Sequence, residues 1–326
     1  MSLARDSQDR VVRNVRELLE YEGLRVGAWF VRSLPHRALL PLARVLGNLV
    51  YLFDARGRRV SIANLTAALG DDLTPARRRH VARMSYGNFA RVMLELFWSP
   101  NLTRDNFSEF VEVEMPEMPG GPAVVFCLHF GNFEWLSLIG AWAIEPGPVV
   151  MQQFRNSLLT PFFSGLRASS GNDAISQRRA MLKLLKVLKG GGKCGVLTDL
   201  TLDPKEGAVL IECFGLKTAV TPIVAVLAQR TGAPVVASEA LPLPDGRWRL
   251  RYLPPVRFEP SVSAPEIVQA CWNVLEPSIR AHPELWIWSY KHWRFKPREG
   301  GERYPFYANA AKRFDELVRT TVRAGT

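Results

Sequence analysis

The sequence predicts an α/β fold: a mixed, largely parallel central sheet flanked by helices, preceded by a mainly helical N-terminal portion. Three observations carry this expectation. Apolar residues recur at helical spacing over residues 1–100. From about residue 108, short apolar runs alternate with helical patterns, as in strands joined through crossover helices. The chain has 326 residues and is 47% hydrophobic, which supplies a large core.

The N-terminal part reads as four helices. Val11, Val12, Val15, Leu18 and Leu19 form one apolar stripe, residues 39–53 a second helix and residues 59–69 a third. Thr74 suits an N-cap and Pro75 the first position of a fourth helix, running to about Trp98. Beyond Ser99-Pro100-Asn101, residues 123–128, 149–153, 194–198, 209–213, 235–240 and 248–256 read as strands. Residues 133–144, 158–169, 178–188 and 222–230 read as helices. Within 178–189, Met181, Leu184, Leu185 and Leu188 share one face and Lys183, Lys186 and Lys189 the other, so this helix is expected on the sheet surface. Gly190-Gly191-Gly192 ends it; the run follows a helix and lacks the Gly-Lys-Ser/Thr order of a phosphate loop. Residues 212–219 read as a strand, a glycine turn and a helix start capped by Thr218 or Thr221. Asn309 reads as the cap of a last helix over 310–323. The expected organisation is a helical portion over 1–100, a candidate for membrane-interface contact, and an α/β core over 101–326, together one compact unit.

The charge balance is strongly basic, with 42 Lys+Arg against 31 Asp+Glu, net +11 and a pI near 9.8. Such a field favours anionic partners: nucleic acid, an anionic membrane face or an acidic protein. Arg5, Arg10, Arg13, Arg16 and Arg25 lie early, and Arg77, Arg78, Arg79, His80 and Arg83 form a second cluster. No helix-turn-helix, zinc finger or RNA-binding signature accompanies the charge, so no nucleic-acid partner is expected. Cys127, Cys194, Cys213 and Cys271 are scattered, with no CxxC pair to suggest a zinc or disulfide framework. No cleavable signal peptide is read, and no apolar run reaches the ~20 residues of a span. Val26, Trp29, Phe30 and Leu34 recur at helical spacing between Arg25 and Arg32, which suits a helix lying in a membrane interface or one packed on its own protein.

The chemistry concentrates in His129-Phe130-Gly131-Asn132-Phe133-Glu134. An apolar strand delivers His129, Gly131 permits a sharp turn, Asn132 suits a helix N-cap, and Glu134 falls in the first helical turn. Residues five apart on one continuous helix point about 140° apart. A strand-turn-helix corner can instead fold His129 and Glu134 together, so that the carboxylate orients the imidazole as a general base. The bland alternative is a buried histidine and a helix-start glutamate with no shared role. Arg155 and Asn156, after residues 149–153, fall at a strand end, where open α/β sheets bind ligands. Asp199 also ends a strand, able to pair with Arg155, to orient a substrate hydroxyl or to cap a turn. The turn at Phe214-Gly215 offers backbone N–H groups to an oxyanion or phosphate. Trp286, Trp288 and Trp293 stand among basic residues, as a core or as a stacking surface.

In this order the motifs resemble the bacterial lipid A biosynthesis acyltransferases of the lauroyl/myristoyl late-acyltransferase family. The resemblance covers about residues 40–298. It rests on His129-x4-Glu134, Gln153-Phe154-Arg155-Asn156, Asp199, Phe214-Gly215-x-x-Thr218, Leu227-Ala228-x-x-Thr231-Gly232-Ala233-Pro234 and His282-Pro283-Glu284-x-Trp286-x-Trp288. It implies a glycerolipid acyltransferase-like fold and transfer of an acyl chain from a thioester to a lipid hydroxyl. His129 would be the base and Glu134 would hold its ring. Arg155, Asn156, Asp199, Phe214, Gly215, Thr218 and Arg294 would organise substrate. No metal or bound cofactor is implied; the co-substrate is an acyl thioester of acyl-carrier protein or coenzyme A. The other implied partner is a membrane lipid acceptor at the anionic cytoplasmic face of the bacterial inner membrane, bound peripherally or monotopically. Leu200 stands where family members often have glutamine, and Tyr290-Lys291-His292 replaces the usual basic pair after the tryptophans, which leaves the acceptor open. The same residues also suit a thioester hydrolase, or a basic membrane-binding protein without catalysis.

Overall fold

The computed structural model describes residues 2–177 and 180–324, with side chains described for 14–177 and 180–319. The side chains of Arg5, Arg10, Arg13, Val11 and Val12, and the predicted helix start at 178, lie outside these limits.

Four helices come first: α1 (Ser2–Ser33), α2 (Leu39–Phe53), α3 (Ala55–Leu69) and α4 (Pro75–Trp98). The Arg77 N–H donates to Thr74 Oγ1 at 3.2 Å, so the Thr-Pro signal opens α4 where expected. α3 begins four residues before the predicted start because Asp54 caps it, accepting from the Gly57 N–H at 2.8 Å. Among the described residues no single helix is long and apolar enough to cross a membrane.

The α/β part follows as β1 (Val111–Glu114), β2 (Ala123–Cys127), α5 (Phe133–Ala143), β3 (Pro148–Met151), α6 (Leu159–Ala168), β4 (Asp173–Ser176), α7 (Ala180–Lys189) and β5 (Lys193–Leu197). Then come β6 (Val209–Cys213), β7 (Leu216–Val220), α8 (Ile223–Thr231), β8 (Val235–Pro242), β9 (Trp248–Tyr252) and α9 (Ala264–Ala281). A short pair, β10 (Phe295–Lys296) with β11 (Asn309–Ala310), precedes α10 (Lys312–Ala324). Seven strands form one sheet in the order β1-β9-β8-β2-β5-β3-β4. β8, β2, β5, β3 and β4 run parallel, and β9 and β1 run against them. Period-2 alternation sorts the two faces. Val124, Phe126, Cys194 and Val196 pack with Leu184 and Leu188 of α7, Leu227 of α8 and Ile267 of α9. Val125, Cys127, Gly195 and Leu197 face α5 on the other side.

Two sequence expectations are corrected. Residues 212–219 are not a strand and a helix start: β6 and β7 form an antiparallel hairpin, and α8 begins only at Ile223. The turn Phe214-Gly215 has positive φ at both positions (53° and 72°), the backbone of a tight two-residue hairpin turn. Asn309 is not a cap; its backbone N–H donates to Arg294 O at 2.9 Å in β11. β1, β4 and α9 have no counterpart in the sequence reading. α9 carried a signal, because Ser263 and Glu266 form a capping box. Trp286, Trp288 and Trp293 are core residues, each at most 1% exposed.

One buried carboxylate ties the helical portion to the core. Glu95 of α4 is 1% exposed and accepts from Arg91 Nε (2.9 Å), Asn132 Nδ2 (2.7 Å) and Trp248 Nε1 (2.8 Å). His36, in the turn between α1 and α2, stands 3.1 Å away through Nε2. Removing one partner from a buried ion pair leaves the other charge uncompensated. Glu95→Ala is therefore expected to cost about 3–5 kcal/mol in denaturant unfolding, because it strands Arg91. A cost below about 1 kcal/mol, the range of an exposed ion pair, would contradict this account.

Candidate active site

β2 and β5 are parallel neighbours in the register Cys127↔Leu197. Two residues beyond each strand, His129 and Asp199 meet at the carboxyl edge of the sheet. His129 Nδ1 lies 2.7 Å from Asp199 Oδ1, and the His129 backbone N–H donates to Oδ2 at 2.9 Å. The Trp286 indole N–H donates to Oδ2 at 2.8 Å. Burial pushes the Asp199 carboxyl up, but the charge and hydrogen bond of His129, followed by His292 and the Trp286 bond, bring it down to about 2. An ionised carboxylate only accepts hydrogen bonds, so Nδ1 carries the hydrogen and the neutral ring keeps its lone pair at Nε2. Among the described residues none hydrogen-bonds that nitrogen. Burial of the His129 ring pulls its pKa down; the Asp199 and Glu134 charges and the Asp199 hydrogen bond outweigh this, so it stands above the ordinary histidine value.

The expectation that Glu134 holds the His129 ring is corrected by this geometry. Glu134 is buried and engaged by Arg167 of α6: Arg167 Nε donates to Oε2 at 2.8 Å and Nη2 to Oε1. The corner does bring Glu134 close enough for its charge to act on His129, but the hydrogen-bonding partner of the ring is Asp199. Asp199 correspondingly pairs with His129 and not with Arg155.

The turn between them is tightly specified. Gly131 has φ +59°, and a Cβ there would lie 1.8 Å from Ala240 O, so only glycine fits. Asn132 caps α5 by accepting from the Trp135 N–H at 2.9 Å while its amide reaches Glu95. Behind Asp199, the loop around Trp286 is held from the helical portion. Ser85 Oγ donates to Trp286 O at 2.8 Å, and Asn64 Nδ2 to Trp288 O at 2.8 Å and Tyr290 O at 2.7 Å. His292, stacked on Trp286 with ring centroids 3.8 Å apart, is brought down to about 4 by burial against the opposing Asp199 charge, so it is neutral near pH 7.

The remaining predicted site residues lie elsewhere. Phe214 is buried among Trp272, Trp286, Trp288 and Trp293, where it backs the indole that holds Asp199. Gly215 completes its turn, and Thr218 Oγ1 donates to His292 O at 2.8 Å. Asn156 Nδ2 donates to Glu17 O at 2.8 Å, docking α1 on the core. Arg155 is exposed, and Arg294 is exposed with its guanidinium over the Phe295 ring. Arg167 and Glu95 were missed. Each leaves a trace: Arg167 is the one charged residue of α6, and Glu95 interrupts the apolar run Val92-Met93-Leu94 and Leu96-Phe97-Trp98. Among the described residues no group of His, Cys, Asp and Glu is placed to hold a metal ion.

An apolar cavity of about 80 Å³ lies between α5 and the sheet, with Cys127, Leu197 and Phe133 among its lining residues. Phe133 also packs edge-on against the His129 ring at 4.9 Å.

Residues 8–295 match the family described as bacterial lipid A biosynthesis acyltransferase. The chain is 26% identical over 293 residues to the lipid A biosynthesis lauroyltransferase of Escherichia coli (strain K12), covering 85% of this chain and 92% of the relative. Among solved structures, the 1-acyl-sn-glycerophosphate (LPA) acyltransferase of Thermotoga maritima aligns over 77% of this chain and 99% of its own, with 14% identity and a TM-score of 0.36. A basic chain whose motifs follow one order, on a largely parallel α/β sheet with a histidine at its carboxyl edge, thus belongs to the bacterial lipid A biosynthesis acyltransferase family and is an acyltransferase.

Proposed function

We propose that the protein transfers a fatty acyl chain from an acyl thioester, of acyl-carrier protein or coenzyme A, to a hydroxyl of a membrane glycolipid of the lipid A precursor class. The observation that carries this reading is the His129–Asp199 pair, which leaves a lone pair at Nε2. Nε2 takes the acceptor's hydroxyl proton as the oxygen attacks the thioester carbonyl. Asp199 stabilises the imidazolium that forms, as the carboxylate of a catalytic triad does. Glu134, fixed by Arg167, adds its charge to the same end. When the tetrahedral intermediate collapses, the C–S bond breaks, the ester remains on the lipid, and the thiolate takes the proton back from Nε2. No acyl-enzyme is required. The acyl chain lies in the apolar cavity, which Phe133, packed on the imidazole, helps to line.

The site of action proposed is the cytoplasmic face of the inner membrane. α1 and α2 expose an apolar surface that includes Trp29 (71% exposed), Val26, Leu52 and Phe53 (85%). Arg25, Arg32, Arg37, Arg44 and Arg56 are exposed around it. Apolar groups entering the interface and arginines at anionic headgroups are the two forces that hold such helices on a membrane. The net charge of +11 also suits an acidic carrier protein.

His129→Ala is expected to abolish lipid-dependent acyl transfer and to lower the thermal midpoint, because the buried Asp199 carboxylate loses its imidazole partner. Asp199→Asn is expected to lower kcat by about 10³–10⁴, by analogy with loss of the triad carboxylate, and Glu134→Gln by less. The wild-type acidic limb should have its midpoint above the ordinary histidine value of about 6.5, because catalysis needs the neutral ring and Asp199 favours its protonated form. In Asp199→Asn burial acts unopposed by that carboxylate, so the midpoint should move down. Equal acidic limbs in both proteins would refute Asp199 as the partner of the base. Thioester consumption with and without acceptor separates transfer from hydrolysis: an acceptor-independent rate would refute the transfer reading.

Vesicle co-sedimentation checks the membrane face. Trp29→Ser/Phe53→Ser is expected to bind vesicles rich in anionic lipid several-fold more weakly than wild type, with the same thermal midpoint. Undiminished binding would place the contact elsewhere.

A further inference from the structure

We propose that the groove between α1 and the helices α4 and α6 binds one anionic membrane glycerophospholipid, with an acyl chain on the apolar lining and the phosphate at Arg32. The inference goes beyond acyl transfer and does not depend on it.

α1 is tied to the rest of the molecule at both ends of this groove. On one side Asn156 Nδ2 donates to Glu17 O at 2.8 Å. On the other, Asn101 Nδ2 donates to Arg32 O at 2.8 Å and the Trp98 indole N–H to Leu34 O at 2.9 Å. Between these ties α1 does not close on its neighbours; a groove of about 440 Å³ remains. Phe97 of α4 and Phe162 and Leu166 of α6 line it opposite Ala28 and Trp29 of α1. Such a lining is unfavourable against water, and a hydrocarbon chain covers it.

The rim carries the charge. Arg25 and Arg32 are seven residues apart, on the face of α1 that holds Ala28 and Trp29. Glu22 takes up Arg25, accepting from Nη1 at 2.9 Å. The Arg32 side chain is exposed, and among the described residues its guanidinium has no partner. A guanidinium binds phosphate through paired N–H donors, and an indole suits the depth between headgroup and chain. A free anion would leave the apolar lining bare, and a neutral lipid would leave Arg32 unpaired. Trp29 belongs both to the groove and to the exposed apolar face of α1, so a lipid reaches the groove without leaving the bilayer.

The lining is coupled to the candidate active site. The Phe163 ring lies 6.0 Å from that of Phe97 and 5.5 Å from that of Phe162. The Arg167 guanidinium lies over Phe163 at 5.8 Å and engages Glu134, whose charge acts on His129. A chain packed on Phe97 and Phe162 restrains Phe163 and the guanidinium above it. Lipid binding thus steadies the ion pair near the base.

The test is native mass spectrometry of the full chain in mild detergent, titrated with phosphatidylglycerol. One adduct is expected to saturate before a second appears, and phosphatidylcholine to bind several-fold more weakly. Arg32→Ser should bind about fivefold more weakly, the worth of one basic residue at an anionic surface. Leu166→Gln should lose the first adduct yet co-sediment with anionic vesicles like the wild type, which separates the groove from the outer membrane face. Amide exchange over residues 162–168 should slow on addition of phosphatidylglycerol in the wild type and not in Leu166→Gln. Adducts without preference for a first site, or equal binding by wild type and both variants, would overturn the site. Displacement of the lipid by glycerophosphoglycerol, the headgroup without chains, would show a phosphate site alone and overturn the lipid assignment. Unchanged exchange in the wild type would overturn the coupling.

Discussion

The register of β2 on β5 is the constraint on which the site depends. Cys127 opposite Leu197 carries both chains to the carboxyl edge in step, so the next residues but one, His129 and Asp199, meet without either chain having to bend toward the other. A slip by one residue would turn alternate side chains to the opposite face. It would exchange the Val124, Phe126, Cys194 and Val196 side, packed under α7 and α8, for the side that lines the cavity. Core packing and the His129–Asp199 contact are therefore enforced by the same register. The packing holds it, because burying those apolar side chains is worth far more than one hydrogen bond.

A second requirement is that the buried carboxylates be satisfied. Asp199 has donors from an imidazole, a backbone N–H and an indole; Glu95 has an arginine, an amide and an indole, with His36 beside them. Glu134 has Arg167. Charges this deep are tolerated only with such partners. The partners come from α4, α6, β9 and the tryptophan loop, so neutralising three carboxylates also fastens the helical portion to the sheet around the turn Gly131-Asn132. This is why residues that act through the tryptophan loop, such as Asn64, Ser85 and Phe214, bear on the geometry at His129.

Much of the architecture was legible from local patterns. The strand–turn–helix corner at 123–144 was read within a residue or so, as were the Thr74-Pro75 helix start and the helix over 39–53. Local signals failed where a competing contact decided the outcome. Residues 216–220 lack strong strand composition, yet they pair with β6 because the Phe214 ring, buried among tryptophans, stabilises a positive-φ turn that its own side chain disfavours. Asn309 is drawn into β11 and leaves the cap unmade.

The candidate site divides along the same line. The sequence by itself determined that His129 ends a strand, that a glycine turn and an Asn cap follow, that Glu134 lies in the first helical turn, and that Asp199 ends another strand. Each of these depends on residues within a few positions of one another. Which carboxylate meets the imidazole was decided only by tertiary structure. It depends on which strand lies beside β2, and strand order is set by helix packing across the whole sheet. The same holds for Arg167, which takes up Glu134: ion pairs between distant segments leave no period in the sequence.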